Sequence, residues 1–161
     1  MSTPHTSPVK PVPDGFHTVT PYLHVDGAAA AIEFYRKAFG ATEIYRLPGL
    51  HGKIAHAEIQ LGSSRLMLAD ESEQMNAFGP KHYGGASTTF MVYVEDVDAV
   101  FQQAVDAGAT ATRPIADQFY GDRTGGVMDP FGHHWYLATH IKDVSPEEMQ
   151  QAVAQMAGAG S

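Results

Sequence analysis

The chain repeats itself, and that repetition limits the possible folds more than any single motif. Leu66-Met67-Leu68 is answered 69 residues later by Trp135-Tyr136-Leu137, and Thr20 by Thr89 at the same distance. Gly40-Ala41-Thr42 returns as Gly108-Ala109-Thr110, one residue out of phase, so the second strand-to-helix segment is one residue shorter. Each copy opens with an alternating run, residues 18–25 and 88–94, which predicts a half-buried strand. A helix follows each run. Ile32, Tyr35 and Phe39 carry helical spacing within residues 28–39, stopped by Gly40; Val97, Val100, Phe101 and Ala104 do so within residues 97–107, stopped by Gly108. Three further strands complete each copy, at residues 43–47, 53–61 and 65–70, then at 110–113, 124–129 and 134–139. Gly62-Ser63-Ser64 and Asp129-Pro130-Phe131-Gly132 supply the tight turns before the last strand of each.

The predicted class is therefore α+β, two tandem βαβββ modules at residues 16–71 and 88–140. A leader at 1–15, rich in Ser, Thr and Pro, is expected to be flexible, and residues 72–87 form a linker and possible lid. The tail at 141–161 begins a helix at Ser145-Pro146-Glu147-Glu148, a capping-box sequence, and ends it near Gly158. Met149, Val153 and Met156 are spaced to dock one face on the body or on a second subunit.

Charge and composition remove several functions. Eighteen acidic against ten basic side chains, a net charge of −8, disfavour a nucleic-acid partner, because phosphate binding rests on Lys and Arg. No apolar run approaches the roughly 20 residues of a membrane span and the N-terminus lacks a signal-peptide pattern, so no membrane partner and a cytoplasmic location are expected. Without cysteine there is no disulfide, thiolate metal site or thiol nucleophile. A metal would need carboxylates or some of the nine histidines. Gly84-Gly85 and Gly125-Gly126 lack the Lys-Ser/Thr of a phosphate loop, and no serine sits in Gly-x-Ser-x-Gly.

Strand alternation sorts the remaining residues by face. Val19, Leu23, Val25, Ala57, Ile59, Leu61, Leu66 and Leu68 are assigned to the face packed on helices. The opposite face receives Thr20, Tyr22 and His24, then His56, Glu58 and Gln60, then Arg65, Met67 and Ala69. In the second module it receives Thr89, Met91 and Tyr93, then His134, Tyr136, Ala138 and His140. Mixed Tyr, Met, His and Glu suit a ligand pocket. His56 and Glu58, two apart on one strand, are the candidate acid–base pair; the plainer reading has them hydrogen-bond each other or Arg65. His133 and Trp135 fall on the packed face, and His5, His17, His51 and His82 in the leader or loops, where they should be solvated. Arg123 could grip an anionic ligand or pair with Asp122.

Pro21-Tyr22-Leu23, Ala31-Ile32-Glu33-Phe34-Tyr35, Ala38-Phe39-Gly40-Ala41, Val94-Glu95-Asp96-Val97-Asp98-Ala99, Tyr120-Gly121-Asp122-Arg123 and Asp129-Pro130-Phe131-Gly132-His133 together resemble one family. It is the vicinal oxygen chelate superfamily of glyoxalases, bleomycin- and fosfomycin-resistance proteins and extradiol dioxygenases. The PhnB-like branch looks nearest, and the likeness covers residues 19–149. It implies a glyoxalase/bleomycin-resistance fold, in which the sheets curl into a partly open barrel around a cleft often framed by a homodimer. The metal ligands of that superfamily carry over to Thr20, Met67, Thr89 and Tyr136, none of which is His or carboxylate. No cofactor is therefore expected at the usual positions; a divalent metal relocated to His24, His56, Glu58 and His134 is the alternative. Two functions stay open. One is binding of an aromatic or cationic small molecule by Thr20, Tyr22, His24, Met67, Thr89, Met91, Tyr93, Arg123, His134 and Tyr136. The other is a metal-free or atypical-metal lyase, isomerase or oxygenase, with Glu58 and His56 as acid and base.

Overall fold

A computed structural model describes residues 8–160; His5 and the first part of the leader lie outside the described residues. The first module runs β1 (Tyr22–Val25), α1 (Ala28–Phe39), β2 (Thr42–Pro48), β3 (Ile54–Leu61) and β4 (Ser64–Asp70). A short helix, α2 (Pro80–Tyr83), interrupts the linker. The second module runs β5 (Thr89–Tyr93), α3 (Val97–Ala107), β6 (Thr110–Asp117), β7 (Asp122–Met128) and β8 (His134–His140), and α4 (Pro146–Gly158) ends the chain. Each module forms a four-stranded mixed sheet, ordered β1-β4-β3-β2 and β5-β8-β7-β6, with the first and last strands parallel and the others antiparallel. The sheets are separate and neither closes into a barrel.

Two departures from the sequence reading have local causes. β1 pairs with β4 only from Tyr22, opposite Met67, because Pro21 has no N–H to give the ladder; Thr20 precedes the strand and Val19 is 81% exposed instead of packed on helices. β6 continues past Arg113 to Asp117 despite Pro114. As an edge strand it needs no outward N–H at the proline, and register shifts after Ala111 and Arg113 absorb the irregularity.

Both helices lie between the sheets. α1 packs on its own sheet and on α3, whose Gln103 amide donates to the Lys37 and Ala38 carbonyls at the end of α1. Trp135 of β8, 1% exposed, packs on Tyr35 and Phe39 of α1 and on Phe90, with ring centroids 5.3, 5.0 and 4.9 Å away. Leu23, Val25, Ile59, Leu66 and Leu68 of the first sheet and Val127 and Trp135 of the second thus share one core. Asp129 ties the modules together at its centre. Its Oδ1 accepts from the Phe131 and His133 amides and its Oδ2 from the Tyr35 hydroxyl and the Trp135 indole.

Helix α4 starts as its sequence predicts. Ser145 Oγ accepts from the Glu148 amide and Glu148 returns a carboxylate to the Ser145 amide. It buries no side chain in the single chain, however, and Val153 and Met156 are about half exposed. No helix among the described residues is long and apolar enough to cross a membrane.

Candidate functional site

Because the two sheets turn their apolar faces to one core, their polar faces point away from each other. The residues assigned from sequence to one cleft therefore form two separate surfaces within a chain. Tyr22, His24, His56, Glu58 and Met67 lie on the first sheet, with Thr20 just ahead of it; Thr89, Met91, Tyr93, His134 and Tyr136 lie on the second. Arg123 faces neither surface as a free cation: it forks onto Asp98 at 2.7 and 2.9 Å and reaches Asp117 at 2.8 Å.

The first surface is built around Glu58. Antiparallel pairing puts Glu58 opposite both Tyr45 and Met67, and the residue is 6% exposed. Burying a charge requires partners, and it has three. The Tyr45 hydroxyl donates to Oε1 at 3.0 Å, Arg65 reaches Oε2 at 3.3 Å, and His56 Nε2 lies 3.5 Å from Oε1. Arg65 is itself held by Gln60 at 2.8 Å and lies over the Phe16 ring. The hydroxyl of Tyr22 lies 2.8 Å from His56 Nδ1. Exposure falls along this row, from Tyr22 at 45% through half-buried His56 to Glu58. Burial raises the Tyr22 phenol above its ordinary value, and donation to Glu58 raises that of Tyr45, so both stay protonated near neutrality.

Tyr22 and His24 also line two open cavities. One, of about 760 Å³, runs between the loops carrying Leu50 and Met75; the other, of about 510 Å³, runs beside Phe78, Pro80 and Phe90. Sequence reasoning missed both, because they depend on where the β2–β3 connection and the linker fold back. The signal present was the Gly49 to Gly52 segment, where His51 takes a left-handed conformation at φ 56. His24 has its Nδ1 buried without a partner, and burial and the nearby His133 lower its pKa. His133 itself is satisfied by the His24 carbonyl at 3.1 Å.

The second surface departs from the first where the repeat departs. At the register position of Glu58 stands Gly126, opposite Tyr136. A Cβ there would come within 3.1 Å of the Tyr136 ring, so glycine lets that ring lie against the strand, with Arg113 over it at 5.1 Å. Gly125-Gly126 is thus a packing feature in mid-strand.

A family model for the Glyoxalase/Bleomycin resistance protein/Dioxygenase superfamily matches residues 15–137. The chain belongs to this superfamily. An uncharacterised protein of Mycobacterium tuberculosis, Rv0887c, is 45% identical over 139 residues, covering 84% of this chain and 82% of the relative. The X-ray structure of the Arabidopsis thaliana gene product At5g48480 superimposes with a TM-score of 0.62 at 31% identity, over 76% of this chain and 98% of that one. A putative 3-demethylubiquinone-9 3-methyltransferase, the PhnB protein of Bacillus cereus, shares the fold at a TM-score of 0.60 and 19% identity, over 76% of this chain and 99% of that one.

The metal that some members of the superfamily use does not fit the corresponding residues. Thr20, Met67, Thr89 and Tyr136 offer hydroxyls, a thioether and a phenol, where a divalent ion wants imidazole or carboxylate. His24, His56, Glu58 and His134 are split between the two sheets, and among the described residues no three His, Asp or Glu side chains gather to hold an ion.

At the end of the second sheet, His140 Nδ1 lies 2.7 Å from Asp122 and its Nε2 2.8 Å from Asp143, while Tyr93 donates to Asp122 at 2.8 Å. Hydrogen bonds to Asp143 and Asp122 raise the His140 pKa. Burial pushes Asp122 up, but the bonds from His140 and Tyr93 outweigh it and leave its pKa lowered. A raised histidine stabilises the fold below its unfolded value, about 6.5, and loses this as pH rises through the folded value; a depressed aspartate stabilises above about 3.9 and loses this as pH falls through its folded value. His140→Gln should therefore lower Tm most between about pH 4 and 6.5, with the gap closing at alkaline pH. Thermal melts of both proteins across that range check it; a gap that does not vary with pH would refute the charged pair.

Proposed function

We propose that the chain is a homodimeric small-molecule-binding protein, in which the polar face of the first sheet of one copy covers that of the second sheet of its partner and the ligand lies between. One observation carries this reading. Both faces are rich in tyrosine and methionine yet uncovered, with Tyr22 and Met91 each 45% exposed, Tyr45 41% and Tyr93 62%, while their reverse sides share a finished core. Uncovered apolar area of this kind marks an interaction or ligand surface. Tyrosine faces attract cations, and a net charge of −8 raises the local cation concentration, so an aromatic or cationic compound is the fitting ligand.

Sedimentation velocity should show a dimer that Met91→Arg converts to monomer without loss of far-UV circular dichroism. A monomeric wild type at tens of micromolar would refute the paired site. Ethidium, a planar aromatic cation, should bind the dimer and lose roughly tenfold in affinity with Tyr22→Ala.

A second reading, acid–base turnover of a lyase, isomerase or oxygenase type, is favoured by the contact between His56 and Tyr22. In that case Glu58 and His56 serve as the acid and base, with the Tyr22 hydroxyl in contact with His56 Nδ1. Retained binding with abolished turnover in His56→Gln is its signature.

A further inference from the structure

The geometry points to Tyr22 Oη as a directed hydrogen-bond acceptor that selects ligands bearing an N–H or O–H donor, a protonated primary amine above all. This rests on the reading of the first sheet as a ligand surface and deepens it. The direction follows from the order of groups along the row. Glu58 sits at its buried end with Oε1 facing His56 Nε2, so a His56 ring bearing a single N–H carries it on Nε2, toward Oε1. Nδ1 is then left with a lone pair, and the partner 2.8 Å away, the Tyr22 hydroxyl, must be the donor. With its only proton committed inward, the Tyr22 oxygen presents lone pairs to the solvent-facing side.

Two features hold this arrangement. The Tyr45 hydroxyl and Arg65 fix Glu58 from the other directions, so the carboxylate cannot swing away from His56 without losing both. Burial raises the Tyr22 pKa, so the hydroxyl keeps the proton that it directs toward His56. A ligand ammonium seated there gains the acceptor and the tyrosine faces together, whereas a quaternary ammonium of the same shape gains only the faces.

Two measurements test this independently. The first needs no ligand: nitrogen-15 imidazole spectra of the full chain above neutral pH should show His56 protonated on Nε2, with Glu58→Gln shifting the population toward Nδ1. His56 protonated on Nδ1 in the wild type would overturn the inference while leaving the proposed function intact. The second compares benzylammonium with benzyltrimethylammonium by calorimetric titration. Wild type should prefer benzylammonium by roughly tenfold, and Tyr22→Phe should erase the preference while retaining benzyltrimethylammonium affinity. Equal affinities, or a preference that survives Tyr22→Phe, would overturn it. Failure of both probes to bind would overturn the cationic-ligand reading itself, and this inference with it.

Discussion

Replacing Asp129 by alanine is expected to destabilise the protein by about 3–5 kcal/mol, as removal of one partner from a buried charged network does. The side chain is 2% exposed and each of its four bonds comes from a different donor, two backbone amides, a phenol and an indole. Alanine leaves the Trp135 and Tyr35 donors facing each other inside a dry core, where an unsatisfied polar group costs about 1–3 kcal/mol. Asparagine makes the comparison sharp. Its amide oxygen can serve the two backbone amides in place of Oδ1, but its NH2 group then meets the Trp135 N–H donor to donor, so a loss between wild type and alanine is expected. For a chain of this length, the alanine loss corresponds to a Tm lowered on the order of 10 °C. Urea midpoints at one fixed protein concentration, with the slope unchanged, read it out. A loss under about 1 kcal/mol for alanine would show that Asp129 is a turn residue and not a tie between modules.

The role of Asp129 also shows what the sequence could and could not reveal. As part of Asp-Pro-Phe-Gly it reads as a turn, and the turn is there. That it also receives the Tyr35 hydroxyl depends on α1 lying against the second module, a contact 94 residues distant in sequence. Local periodicity reaches the elements: α3 spans Val97–Ala107 as its apolar spacing predicts, and every strand of both repeats is present. The faces were legible too, since alternation separates Leu66 and Leu68, buried, from Met67, half-buried. What alternation cannot state is where two faces point relative to each other. The residues of the two polar faces look like one cleft in a linear reading and lie on two surfaces in space, because the helices fill the gap between the sheets. The Glu58 cluster was half visible: His56 and Arg65 share its face by period two, but Tyr45 on β2 enters only through a register shift between Glu43 and Tyr45.

Trp135→Ala should cost about 3–5 kcal/mol and, more tellingly, should do so in a single step. Trp135 belongs to β8 of the second module, yet two of its three aromatic neighbours, Tyr35 and Phe39, belong to α1 of the first. A cavity at this position therefore removes packing from both modules together, and it strands the Asp129 Oδ2 lone pair that the indole satisfied. If the repeats were independent domains joined by residues 72–87, the substitution would lower one transition and leave the other in place. Because Ala104, Val127 and Trp135 sit in the same cluster as Leu23, Ile59 and Leu68, neither module has a complete core alone. Urea unfolding followed by far-UV circular dichroism and by tyrosine fluorescence should stay coincident in the mutant, at a lower midpoint. Trp135→Phe, which keeps the ring and loses only the N–H donor and part of the volume, should fall between. Separate transitions for the two probes would refute the shared core. With it would go the account of why both tyrosine-rich faces turn outward, since that orientation follows from two sheets closing on one interior.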